Sequence, residues 1–191
     1  MERICVYCGS SPGARPVYAE AARALGRALL DRDLGLVYGG ANRGLMGLVA
    51  DEVLAGGGEV IGVIPHGLVE LEVAHSGLTE QHVVQTLHER KALMVELSDG
   101  LITLPGGHGS HDELFEALTW LQLGIHDMPV GLVNTEGYYD LLLAHLDRCS
   151  VEGFIQPAYR EMLLVAPTPE RLLDACAEFE PPERPSWSSG A

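Results

Sequence analysis

The sequence predicts an α/β chain built on a central parallel sheet, and three observations carry that prediction. Short apolar segments alternate with helical patterns from residue 4 to about residue 178. The apolar segments are rich in Val, Ile and Leu without polar alternation, the mark of strands covered on both faces. Three strand-to-helix connections are rich in glycine, at the carboxyl ends where open α/β sheets hold ligands. Alternation of this kind implies right-handed crossovers and helices on both faces of the sheet, a Rossmann-like three-layer sandwich.

The expected strands are 4–7, 35–38, 60–64, 100–104, 130–133 and 162–165. The expected helices are 16–31, 43–55, 86–98, 110–124, 137–150 and 168–178. In the first helix Ala21, Ala22, Leu25 and Leu29 recur at helical spacing; in the fourth, Leu114, Ala117, Leu118 and Leu121 do the same. Residues 66–81 show no period, and the stretch is long enough for a functional loop or lid. At 191 residues the chain has room for one sizeable core, so one domain is expected over 1–180. The tail 181–191, with proline, serine and glycine and little to bury, is expected to be mobile.

Composition narrows the function. The chain carries 27 acidic against 12 basic side chains, a formal net charge of −15, which argues against nucleic acid or an anionic membrane as partner. An anionic ligand must then be held by a local site, because the field of the whole molecule repels it. A mean hydropathy slightly above zero excludes a disordered chain. The N-terminal residues run straight into an apolar segment with no signal-peptide pattern, and no run of about 18 apolar residues occurs. Four scattered cysteines make no disulfide framework, and Cys5 and Cys8, three steps apart along a strand, point to opposite faces. These features together place the chain in the cytoplasm.

The glycine-rich connections are Gly9-Ser10-Ser11-Pro12-Gly13, Gly39-Gly40-Ala41-Asn42-Arg43-Gly44 and Pro105-Gly106-Gly107-His108-Gly109-Ser110. Glycine lets backbone N–H groups approach a ligand, and a following helix N-terminus adds unpaired donors, which together suit a phosphate. One such loop is equally a tight turn; three in one small domain favour a nucleotide or sugar phosphate. The P-loop pattern and the G-x-G-x-x-G dinucleotide fingerprint are both absent, as is the G-x-S-x-G hydrolase signature.

The third loop has two readings. Ser110 and Glu113 have capping-box spacing, in which each side chain caps the other's N–H. Alternatively the loop N–H groups stay free for phosphate and Glu113 faces a pocket. Arg90 favours the second reading. It lies near the centre of an apolar stripe of Leu87, Leu93, Met94 and Leu97, where a guanidinium needs a structural ion pair or an anionic ligand or carboxylate. Lys91 beside it is the only lysine. His108, His111 and Asp112 make a metal site conceivable, but no further ligand cluster supports it, so no metal is expected.

These residues carry a resemblance. The segment 87–143, with its Arg90-Lys91 pair and Pro105 through Glu113 matching the pattern PGGxGTxxE, resembles the Lonely Guy (LOG) family of nucleotide phosphoribohydrolases, many once labelled lysine decarboxylases. VYGGANRGLMG at 37–47 and GVIP at 62–65 are similar to two further family stretches, so the resemblance covers about residues 3–179. Ser110 stands for the usual threonine and keeps the hydroxyl; Ala41, Leu87 and the pair His111-Asp112 also depart from common family residues.

The resemblance implies hydrolysis of the N-glycosidic bond of a nucleoside 5′-monophosphate, an N6-substituted adenine nucleotide or AMP, to free base and ribose 5-phosphate. It implies Glu113 and Arg90 as catalytic residues, with no cofactor. Gly106, Gly107, His108, Gly109 and Ser110 would hold the phosphate, while Lys91, Thr119, Glu72, Gly39 and Gly40 would line the remainder. A homodimer with sites near the subunit interface is also implied. Two other readings stand beside it: a carrier or sensor that binds nucleotide without catalysis, and a pyridoxal phosphate decarboxylase, for which Lys91 would be the only Schiff-base lysine.

Overall fold

In the computed structural model, which describes residues 1–69 and 74–181, seven strands form one all-parallel sheet. The strands are β1 (Arg3–Tyr7), β2 (Gly35–Tyr38), β3 (Val60–Pro65), β4 (Glu80–Val84), β5 (Gly100–Thr103), β6 (Val130–Val133) and β7 (Leu163–Ala166). They lie in the order β4-β3-β2-β1-β5-β6-β7, so the chain steps outward from β1 and then crosses to β5 on its other side. The switch point between β1 and β5 is where an open α/β sheet leaves a crevice.

The connections carry α1 (Pro16–Leu30), α2 (Gly44–Ala55), α3 (His66–Val69), α4 (Leu87–Glu96), α5 (His108–Leu123), α6 (Asp140–Val151), α7 (Pro157–Glu161) and α8 (Pro169–Ala177). Alternation along β1 divides the core in two. Ile4, Val6 and Cys8 pack with α1, α2 and α8, whereas Cys5 and Tyr7 pack with α4, α5 and α6. The two thiols therefore face opposite layers, as strand geometry requires. Both are free, and burial pushes each well above the ordinary thiol range.

Local sequence explains the helices. α1 opens on Pro16, where a missing N–H costs nothing, and buries Ala21, Ala22, Leu25, Ala28 and Leu29 at helical spacing. α5 buries Leu114, Ala117 and Leu121 against the other face.

The expected six strands all form, and the structure adds a seventh, β4. Its sequence, EQHVV, is largely exposed and polar because it pairs only with β3, at the margin of the sheet. An edge strand needs no apolar run, and polar side chains there discourage pairing with another chain. The irregular segment 66–81 thus ends inside a strand and begins with the short helix α3. Between them, Ala74 bridges to Ala41 and the His75 N–H donates to Gly40 O at 3.1 Å, which lays this return over the β2–α2 loop. α7 was not expected, and α6 begins at Asp140 rather than 137. The tail lies, from residue 182 onward, outside the described residues.

Leu25 is fully buried between α1 and the sheet. Leu25→Ala is expected to cost about 2–5 kcal/mol, read as a lower urea midpoint with an unchanged slope.

Candidate active site

The β5–α5 connection builds one wall of the site. α5 starts at His108, two residues before the expected start, with Gly107 at its N-cap position and no side-chain cap. The capping box is therefore not formed: Ser110 lies inside the first turn. The first-turn N–H groups of an α-helix have no intrahelical acceptor, and here no N-cap side chain takes them. They constitute a donor cluster with partial positive charge at the carboxyl end of β5. Gly106 is required for this turn, because a Cβ there would fall 2.1 Å from Ser110 Oγ. Across the crevice the Gly9 N–H donates to Pro105 O at 3.1 Å, tying the β1–α1 loop to the same connection.

Arg90 builds the opposite wall. It is 7% exposed, so it does not snorkel to solvent. Its Nε donates to Val63 O and its Nη2 to Gly39 O, both at 3.0 Å. The register explains the availability of these acceptors. β2 ends at Tyr38 opposite Gly62, so the next carbonyls on either side, Gly39 and Val63, lie past the last paired rung. A Cβ at Gly39 would sit 1.8 Å from Arg90 Nη2, so any larger residue displaces the guanidinium from this seat.

Between the walls is a cavity of about 170 Å³, lined by Gly39, Arg90, Gly107, His108, Gly109, Ser110 and Glu113 together with Tyr7, Cys8, Ser10, Met46 and Met94. Glu113 projects from α5 as a half-buried side chain. Its charge reaches the floor: burial first, and then Glu113 among other groups, raise Tyr7 and Cys8 above their ordinary ranges. Both floor groups therefore stay protonated and neutral at physiological pH, and the cavity has no thiolate nucleophile. An adjoining cavity of about 410 Å³ shares Gly9, Ser10 and Gly107 and is walled by Tyr18, Leu45, Pro105, Gly106 and Tyr138.

Seven residues expected from the sequence thus meet around one cavity. Gly106 lines the neighbouring one, and Gly40, with φ +74°, receives the His75 N–H beside it. Lys91 lies elsewhere. It is 6% exposed and its Nζ donates to Asp112 Oδ2 and Glu116 Oε2, both at 2.9 Å. Burial opposes its charge, but the hydrogen bonds it donates to Glu116 and Asp112 outweigh that and hold its pKa above the usual lysine value. Thr119 donates its hydroxyl to Phe115 O and lines a separate cavity of about 210 Å³ between α5, α6 and α7. Glu72 lies outside the described residues. His111 is folded back, Nδ1 donating to Gly107 O at 2.6 Å. Among the described residues no group of three His, Cys, Asp or Glu side chains is placed to hold a metal ion.

Tyr138 escaped the sequence reading. Its hydroxyl donates to Gly106 O at 2.6 Å, and the neighbouring Tyr139 donates to Leu104 O at 2.8 Å, so the β6–α6 corner braces the glycine loop from behind. No local pattern announces such a contact, which spans 32 residues of sequence. Met46 and Met94 were equally illegible, since each also reads as ordinary core.

The sheet order, the uncapped helix start and the glycine loops at the strand ends define an α/β protein of the Rossmann-like class. Residues 46–176 match the family described as "Possible lysine decarboxylase". Among similar proteins is the cytokinin riboside 5′-monophosphate phosphoribohydrolase LOG3 of Arabidopsis thaliana, 49% identical over 94% of this chain and 83% of that protein. LOG7 of the same plant, of the same description, is 48% identical over 94% of this chain and 83% of its own length. The chain belongs to this family, the LOG family. Solved structures of similar fold include the molybdenum cofactor binding protein from Rippkaea orientalis, with a TM-score of 0.71, 21% identity, and 93% and 97% of the two chains covered.

Gly39→Ala forces the guanidinium off its two carbonyls. The variant is expected to lose about 1.5–3 kcal/mol of stability, the worth of a hydrogen bond to a charged group, measured by urea unfolding.

Proposed function

We propose that this chain is a phosphoribohydrolase, a single catalytic domain over residues 1–180 that cleaves the N-glycosidic bond of nucleoside 5′-monophosphates. The products are free base and ribose 5-phosphate, and the substrates are an N6-substituted adenine nucleotide and AMP. The observation that carries the reading is the cavity in which the bare N-terminus of α5 and the Glu113 carboxylate stand against Arg90, in a chain about half identical to LOG phosphoribohydrolases.

The chemistry follows from the groups present. Phosphate oxygens take the N–H groups of Gly107, His108, Gly109 and Ser110, which supply attraction without a formal charge. The ribose then lies beside Glu113. As the C1′–N bond breaks, its electron pair leaves with the base, which takes up a proton, and the sugar becomes oxocarbenium-like. A carboxylate beside the ring stabilises that cation and holds or deprotonates the water that forms the new C1′–O bond. Arg90 is fixed on Gly39 O and Val63 O, where it sets the wall opposite the carboxylate and can donate to the departing base. In this arrangement Lys91 acts by holding Asp112 and Glu116, the neighbours of Glu113 on α5.

The decarboxylase description of the family does not fit these residues. Pyridoxal phosphate chemistry starts from a lysine amine able to form a Schiff base. The single lysine is buried, kept charged by two carboxylates, and is not among the residues lining the cavity. The carrier reading loses ground because a carrier needs the glycine loop but neither Glu113 nor Arg90.

We further propose that the protein works in the cytoplasm as a homodimer, without nucleic-acid or membrane partners. The net charge of −15 and the buried free cysteines Cys5, Cys8 and Cys176 support the setting, and no described helix is long and apolar enough to cross a membrane. Exposed Phe115, Leu123 and Ile125, on and just beyond α5, support the assembly. Light scattering is expected to give twice the 20.5 kDa chain mass; a monomer at micromolar concentration would contradict it.

Purified protein is expected to release base from both AMP and N6-isopentenyl-AMP, followed by chromatography together with ribose 5-phosphate. Glu113→Gln should lower turnover by a factor on the order of 100 or more while nucleotide still binds. Unchanged base release in that variant would remove Glu113 from the mechanism.

A further inference from the structure

Arg90 rests on a carbonyl that its own stretch of chain does not fix. Gly39 O belongs to the peptide plane between Gly39 and Gly40, whose direction is set by ψ of Gly39 and φ of Gly40. Both residues are glycines, so both torsions are soft, and Gly40 takes φ +74°. A carbonyl that must hold a guanidinium donor at 3.0 Å therefore needs a restraint from outside the loop. The return segment that leads into β4 supplies one. The His75 N–H donates to Gly40 O at 3.1 Å, and Ala74 bridges to Ala41. Gly40 also lies close against β3, where a Cβ on Gly62 would fall 2.9 Å from Gly40 Cα.

His75 is in turn held from α2. Its side chain is buried, with the residue 7% exposed, and its Nε2 lies 2.9 Å from Asp51 Oδ1. An ionised carboxylate only accepts, so Nε2 carries the hydrogen. The ring's Nδ1 is buried without a hydrogen-bond partner among the described residues, which leaves its orientation to the bond with Asp51. Asp51 itself is a mostly exposed residue of α2, and neither it nor His75 is among the residues lining the cavity.

We propose that His75, fixed by Asp51, is a positioning residue: it holds the Gly39–Gly40 peptide so that Arg90 keeps its place opposite Glu113 while the glycosidic bond breaks. The proposal rests on the phosphoribohydrolase reading and deepens it. Its consequence is a split between binding and chemistry. Neither bond of His75 reaches α5, whose N–H groups take the phosphate in that reading. Loosening the Gly39 carbonyl thus weakens what Arg90 gives to the transition state and leaves ground-state affinity alone. An exposed carboxylate serving only as a surface partner would contribute little, and its loss would not move turnover.

The test compares wild type with His75→Ala, His75→Gln, Asp51→Ala and the double variant His75→Ala/Asp51→Ala. With AMP, His75→Ala is expected to lower kcat about tenfold, with KM and the Kd for ribose 5-phosphate held within about twofold. His75→Gln, whose amide still donates to Asp51, should recover most of that loss. Asp51→Ala should lower kcat about threefold, and the double variant should be no slower than His75→Ala, because the two side chains act as a unit. A readout independent of turnover is the Arg90 Nε–H, buried on Val63 O and followed by NMR. Its exchange with solvent should quicken about tenfold in His75→Ala and Asp51→Ala. Unchanged kcat in both single variants, kcat and affinity falling together, or unchanged exchange would each overturn the proposal and leave the phosphoribohydrolase reading standing. If His75→Ala does not fold, Asp51→Ala decides, since its side chain is mostly exposed. Absence of base release by wild type would instead remove the phosphoribohydrolase reading, while the exchange measurement would still decide whether His75 holds Arg90.

Discussion

A buried guanidinium is the constraint on which the rest of this site depends. Placing Arg90 among apolar neighbours is costly unless its donors find acceptors. The uneven ends of β2 and β3 provide them, as two carbonyls left over where the ladder stops. This one seat has consequences in three directions. It favours glycine at 39, because a Cβ there would push Nη2 off its carbonyl. It fixes the rotation of α4 about its axis. With that rotation set, Lys91, about 100° further round the helix, reaches the first two turns of α5 and takes Asp112 and Glu116.

That second grip sorts three acidic side chains. Asp112 and Glu116 are four residues apart and share a face of α5, whereas Glu113 projects roughly 100° away from Asp112. By binding the flanking pair, Lys91 leaves the face that carries Glu113 to the cavity. Two adjacent basic residues on α4 therefore do different work: one holds the sheet ends, the other holds the partner helix, and the Glu113 carboxylate is positioned between them. The brace from Tyr138 to Gly106 closes the arrangement from the opposite layer.

The architecture was legible because both-face burial leaves a strong mark: β1, β2, β3, β5 and β6 read as uninterrupted apolar runs and fold as such. β4 was not legible, since at the edge of the sheet EQHVV has no reason to be apolar. Within the site, the cluster of Arg90, Glu113 and the glycine loop was visible from residue type and spacing. The partners were less so. Arg90 invited an anionic partner, and its pinned donors instead meet neutral carbonyls, because strand-end geometry, which decides where backbone acceptors are left over, has no sequence signature. Ser110 matched a capping box, and the helix begins two residues earlier, because Gly107 serves at the N-cap position without a side chain.

The two-carboxylate grip on Lys91 also gives the protein a built-in reporter. With one lysine in the chain, a lysine-specific protease addresses a single side chain, an amine-directed reagent meets that one ε-amine besides the N-terminal α-amine, and the side chain is enclosed between two helices. Its reactivity measures how often α4 and α5 separate, a local opening distinct from global unfolding. A ligand that fills the cavity and draws the two walls together would slow that reaction without touching the lysine, so the seam between the helices can be followed by ordinary amine chemistry at one position.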